Sequence, residues 1–180
     1  MKISIIGQGY VGLTISAFAA KQHQVVGYDL NSAVVSHLNK GVSHIEGVAS
    51  SDIKQAILEG NYRATTDESE IADSEIVVIA VPTPLNDNRK PDLSYLDSAC
   101  KVIAENLTGP ALIINESTSF PGTIRKYIKP TIEKYSKVKL QHEYAISPER
   151  VEVARRMWEE ATRNRVVAAD EQQAISALIE

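Results

Sequence analysis

The sequence predicts an α/β fold: a doubly wound, mainly parallel sheet with helices on both faces. Three observations predict it. Short β-rich runs alternate with stretches of helical period along the chain. The runs are apolar without polar alternation, which a parallel sheet covered on both faces requires. The first run ends in a glycine-rich turn that leads directly into a helical pattern.

The predicted strands are Ile3–Ile6, Gln24–Tyr28, Glu75–Val81, Ala111–Asn115, Tyr144–Ile146 and Val166–Ala169. Helical period marks Val11–Lys21, Asn31–Asn39, Ser51–Glu59, Leu93–Asn106, Gly122–Tyr135, Val151–Thr162 and Glu171–Ile179. Asn31 is placed to cap the second helix. Asp92 precedes the fourth, with Tyr95 in its first turn, and Pro121-Gly122-Thr123 opens the fifth. Pro130 interrupts that fifth pattern and predicts a kink or a split, since proline lacks an N–H and clashes with the preceding turn. The segment Pro82–Pro91, with three prolines and several polar turn formers, reads as a loop. No linker or repeat divides the chain, so one domain over 1–180 is expected.

Composition narrows the setting. The 180 residues carry a formal net charge of -4 with no block of like charges, which argues against nucleic acid or an anionic membrane as partner. No apolar run is long enough to span a bilayer. The single cysteine, Cys100, cannot form an internal disulfide and suits a reducing compartment, so a cytoplasmic location is expected. Cys100 lies within a helical pattern and reads as a packing residue. The four histidines show no metal-ligand spacing, so no metal site is expected.

Gly7-Gln8-Gly9-Tyr10-Val11-Gly12 fits G-x-G-x-x-G. Glycine-rich turns are common, but this one has the strand–turn–helix setting of a dinucleotide loop, and a Rossmann-like fold follows. Gly7 permits the tight turn, Gly9 leaves room for a pyrophosphate against bare backbone, and Gly12 lets the helix approach the strand. The helix start offers unpaired N–H groups and a partial positive charge. Asp29 ends the second strand, where a carboxylate can accept both adenosine ribose hydroxyls and repels a 2′-phosphate. No arginine follows directly, so NAD is favoured over NADP. The plainer reading of Asp29 is a turn acid before a helix.

Four motifs in order then resemble the N-terminal, NAD-binding domain of the nucleotide-sugar 6-dehydrogenases, the UDP-glucose/GDP-mannose dehydrogenase family. They are GQGYVGL at 7–13, VPTPL at 81–85 with PDLSYL at 91–96, ESTSFPGT at 116–123, and ISPERV at 146–151. The VPTPL and PDLSYL pair is closer to members acting on UDP-N-acetylhexosamines. The resemblance implies a two-step oxidation of a UDP-sugar C6 alcohol to a carboxylate by NAD, the second step passing through a cysteine thioester. It places Val81, Pro82 and Thr83 against the cofactor's ribose and nicotinamide side, and Glu116 beside the nicotinamide. It matches Thr118 to a residue that positions a catalytic water and Glu149 to a carboxylate moving a proton or activating water. From the residues alone, Ser117, Thr118 and Ser119 read equally as hydroxyls satisfying turn backbone groups. Glu149 reads equally as a surface acid pairing with Arg150 or Arg155.

After Glu149 the chain departs from the family pattern. Val151–Thr162 is a charged helical stretch without Pro or Gly, and Ala168-Ala169 stands where two glycines are usual. The family's central helix, sugar-binding domain and nucleophilic cysteine find no match in these residues. The expectation is therefore an NAD-binding domain inactive alone, monomeric or weakly associated, with UDP-sugar as substrate only in a full-length enzyme. The alternative is a stand-alone NAD sensor or partner-docking module, for which Met157 and Trp158 could form a contact patch.

Overall fold

In the computed structural model, residues 1–147 and 168–169 are described. The strands are β1 (Lys2–Ile6), β2 (Gln24–Tyr28), β3 (Tyr62–Thr65), β4 (Ile76–Ile79), β5 (Leu112–Asn115), β6 (Glu143–Ile146) and β7 (Ala168–Ala169). They form one seven-stranded sheet in the order β3-β2-β1-β4-β5-β6-β7. All neighbours are parallel except β6 and β7, which pair antiparallel. The chain winds outward from β1 in one direction and then, from β4, in the other. The crevice between β1 and β4 is therefore the switch point where ligands bind in such sheets.

The helices are α1 (Tyr10–Ala19), α2 (Ser32–Asn39), α3 (Ser50–Leu58), α4 (Ser94–Asn106) and α5 (Lys129–Tyr135). Side chains alternate across each strand, so the sheet feeds two cores. Ile3, Ile5 and Val25 pack with Leu13, Leu38 and Ile53 on one face. Ile6, Val77, Ile79 and Ile113 pack with Leu96, Ile103, Ile128 and Ile132 on the other. Four apolar side chains in a row on β4, all buried, have no solvent side to mark with polar residues.

Of the capping expectations, that at Asn31 is met, while the N-caps Leu93 of α4 and Thr123 of the next helical run make no side-chain cap bond. Asn31 Oδ1 accepts from the N–H groups of Ala33 and Val34, at 3.0 and 3.4 Å. Asp92 Oδ1 accepts from Ser94 N–H at 2.9 Å, two residues on. The fifth helical pattern is split: a wide turn at Ile124–Ile128 gives way to α5, with Pro130 in its first turn. The helical run continues through it, and the turn widens just before the proline, which has no N–H to give to a regular turn. Two expectations need correction. The third strand, Tyr62–Thr65, stands in a stretch read as connection, and β4 ends at Ile79 rather than Val81. The edge strand alternates buried and exposed over four residues, too short a pattern to separate from a turn. The helical patterns at 151–162 and 171–179 lie outside the described residues. No helix among the described residues is long and apolar enough to cross a membrane.

Candidate dinucleotide site

The loop from β1 to α1 is shaped by its glycines. Gly7 has φ +94, a conformation that side chains resist, and its N–H donates to Tyr28 O at 2.8 Å. A Cβ on Gly7 would lie 2.5 Å from Ala80 O, and one on Gly12 would lie 1.8 Å from Gly7 O. These two glycines let helix, loop and β4 touch. Gly9 differs: its φ is an ordinary -75, and a Cβ there would meet nothing within 4 Å. Its missing side chain keeps open the space in front of α1. Gly9 is the N-cap of α1, and among the described residues no side chain caps it. The first-turn N–H groups of Tyr10 and Val11 therefore point into a cradle suited to an anion.

Asp29 stands at the end of β2, opposite the loop. Its Oδ2 accepts from Gln8 N–H and its Oδ1 from Asn31 N–H, each at 2.8 Å. Each oxygen keeps capacity for a further donor. Loop and carboxylate border a cavity of about 480 Å³, within the usual range for a ligand pocket. Gly7, Gly9, Tyr10, Val11, Asp29, Val81 and Pro82 line it. So do residues to which the sequence assigned no cofactor role: Tyr28 at the end of β2, Leu30 and Asn31 after it, and Tyr95, Ser98, Ala99 and Val102 from α4. The signal of the α4 residues was that helix's apolar stripe, which reads as core until the sheet's switch point puts one end of it beside the loop. The wall of Ile6, Ala80, Ala99 and Val102 suits a flat aromatic base. Among the described residues that line it there is no Lys or Arg.

Two loop residues point elsewhere. Gly12 is buried under the loop, and the Gln8 side chain is turned wholly into the core. Burial pushes the Tyr28 hydroxyl up to about 12, helped by Glu68, whose carboxylate accepts its hydrogen bond at 3.2 Å.

The turns after β4 and β5 are clipped together. Ser117 Oγ accepts from Val81 N–H at 3.0 Å and donates to Val81 O at 2.8 Å. Asn115 Nδ2 donates to Ser117 O and Ser119 Oγ, both at 3.1 Å. Ser117 thus fills the backbone-satisfying role open to it from sequence. Glu116 is buried, with its N–H donating to Ile79 O at 2.9 Å, while Thr118 is exposed at the turn. Thr83, Glu116 and Thr118 do not line the cavity, and Glu149 lies outside the described residues.

Cys100 is fully buried on α4, and burial, with Asp97 nearby, pushes its thiol up to about 12. A thiol held in that form is no nucleophile. Among the described residues no group of three metal-ligating side chains exists.

The geometry has close counterparts. Residues 1–180 match the family model for the UDP-glucose/GDP-mannose dehydrogenase family, NAD binding domain. A UDP-N-acetyl-D-mannosamine dehydrogenase from Escherichia coli is 44% identical over 126 residues, which are 69% of this chain and 29% of that protein. The solved UDP-D-ManNAc dehydrogenase from Pyrococcus horikoshii superposes with a TM-score of 0.89 at 33% identity, covering 99% of this chain and 43% of that one. A GDP-mannose dehydrogenase from Pseudomonas aeruginosa, solved as a ternary complex, gives 0.85 at 27% identity, covering 99% and 43%. The chain spans about a third of the length of the curated relatives it matches. A Rossmann-like sheet, a glycine loop over an open helix start, and a family model that matches from end to end lead to one conclusion: the chain belongs to the UDP-glucose/GDP-mannose dehydrogenase family, as its NAD-binding domain.

Proposed function

We propose that this chain supplies the NAD-binding part of a nucleotide-sugar 6-dehydrogenase that oxidises the C6 alcohol of a UDP-N-acetylhexosamine to a carboxylate. The observation that carries the reading is the uncapped start of α1 facing Asp29 across one cavity. In this reading Gly9, Tyr10 and Val11 hold the pyrophosphate through backbone N–H groups. Asp29 accepts the adenosine ribose hydroxyls, and the apolar wall takes the adenine. NAD supplies the hydride acceptor when bound. Val81, Pro82, Thr83 and Glu116, at the ends of β4 and β5, border the nicotinamide side. The clip from Ser117 to Val81 holds those two turns at a fixed spacing. Thr118 orients a water, for which a hydroxyl can both donate and accept. Glu149 moves the proton. The N-acetylhexosamine preference rests on the resemblance carried by the VPTPL and PDLSYL segments, and on relatives named UDP-N-acetyl-D-mannosamine dehydrogenase.

The sugar pocket and the thioester cysteine belong to a part of the enzyme with no match in these residues, so the chain alone binds NAD without turnover. Titration calorimetry checks the first half: saturable NAD binding is expected, and its absence at millimolar cofactor rejects the reading. Incubation with NAD and UDP-sugars checks the second. NADH formed by this chain alone would mean that the sugar site is here after all.

A further inference from the structure

Gln8 is the variable residue between the first two glycines of the loop, yet its side chain is fully buried. A primary amide has two N–H donors and two acceptor sites on its oxygen, and burial leaves each costly if unmet. Here each finds a partner. Nε2 donates to Ile5 O at 3.0 Å and to Gly7 O at 3.3 Å. Oε1 accepts from Ser16 Oγ at 3.0 Å and from Tyr62 Oη at 2.9 Å. One side chain thereby ties the end of β1 and the loop to α1 and to β3.

To reach β3 it must pass β2, and it does so at Gly27. A Cβ on Gly27 would lie 2.6 Å from Gln8 Cδ and Oε1 and 2.8 Å from Tyr62 Oη. Gly27 therefore leaves the gap that the Gln8 and Tyr62 side chains fill. At the other end of the same residue, the Gln8 backbone N–H donates to Asp29 Oδ2 at 2.8 Å. A locked side chain fixes the peptide plane, and the peptide plane aims the carboxylate.

We propose that Gln8, anchored by Tyr62 and Ser16 through the gap at Gly27, is a positioning residue that sets NAD affinity and the preference for NAD over NADP by holding Asp29, without itself touching the cofactor. The inference rests on the reading of Asp29 as the ribose acceptor. With the strut in place, each Asp29 oxygen has one backbone donor and presents its remaining capacity toward the cavity. Without it the loop peptide can tilt, and the carboxylate loses the N–H that orients it.

The test measures NAD and NADP dissociation constants by calorimetry, with melting temperature alongside, on the whole chain. Gln8→Leu keeps the bulk and removes all four side-chain bonds; Tyr62→Phe removes one. NAD binding is expected to weaken about tenfold in Gln8→Leu and about threefold in Tyr62→Phe, equivalent to losing one or two hydrogen bonds' worth of orientation. NADP binding should change less, so the preference narrows. In an Asp29→Ala background, Tyr62→Phe should add no further loss, because its effect passes through the missing carboxylate. A purely structural strut would lower the melting temperature while leaving the NAD-to-NADP ratio unchanged, and that result overturns the proposal. Should Gln8→Leu fail to fold, Tyr62→Phe decides alone by the same ratio. A parent chain that binds no NAD overturns the cofactor reading and this inference together. A parent that binds NAD, with variants that discriminate as it does, overturns this inference only.

Discussion

At the level of single residues, three glycines of one motif do three different jobs, and substitution separates them. Gly12→Ala puts a methyl group 1.8 Å from Gly7 O, where backbone must move. A cost of about 1–3 kcal/mol in folding stability is expected from such overpacking, read by urea unfolding. Gly9→Ala meets nothing within 4 Å and sits at an ordinary φ, so its melting temperature should stay close to that of the parent. Its methyl instead enters the space in front of α1, and NAD affinity should fall by about tenfold or more, as one lost phosphate contact would cause. Equal damage to stability in both variants would contradict this division. Cys100 offers a second check at this scale. Its thiol is buried and its pKa is pushed to about 12, so a thiol reagent at neutral pH should label it only as the chain unfolds. Rapid labelling of the native chain would contradict the packing described here.

Among the elements, legibility in the sequence followed the length and local character of each signal. Asn31 was legible as a cap because a cap needs only a short polar residue before a helical run, and its Oδ1 indeed takes two first-turn N–H groups. Asn31→Ala should cost about 1 kcal/mol, measurable as an earlier urea midpoint with an unchanged slope. A change within error would mean that water replaces the cap without loss. The strand β3 was not legible: Tyr62-Arg63-Ala64-Thr65 is an edge strand, with Arg63 exposed and only one paired neighbour. The Gln8 strut was hidden for a related reason. Its partner Tyr62 is 54 residues away on that same strand, and only the sheet order brings them together across Gly27. The motif therefore named Gln8 as part of a loop, while its side chain belongs to the core. The α4 wall of the cavity was likewise concealed, because the apolar residues that face a ligand look the same in sequence as those that face a sheet.

For the whole molecule, two linked equilibria follow from what the native state holds. NAD bound to the native chain alone should stabilise it by about 2.7 kcal/mol at a hundred times its dissociation constant, an upward shift of roughly 5–10 °C for a chain of this size. The second ligand is the proton. His142 lies before β6, its Nδ1 accepting from Ala111 N–H at 3.2 Å and its ring set edgewise to Tyr144. Burial holds its pKa below the ordinary histidine value. In the unfolded chain the imidazole takes up a proton as pH falls through about 6.5. The native state resists that proton until lower pH, so the unfolded state binds more protons across the interval and stability there rises with pH. The contribution of His142 is therefore whole above about pH 6.5 and is lost as pH falls below it. His142→Phe removes this titration, so its unfolding free energy should decline less steeply than that of the parent between about pH 7 and 5.5. Parallel declines in the two chains, followed by urea unfolding at each pH, would mean that burial of this imidazole does not govern the acid side of the stability curve.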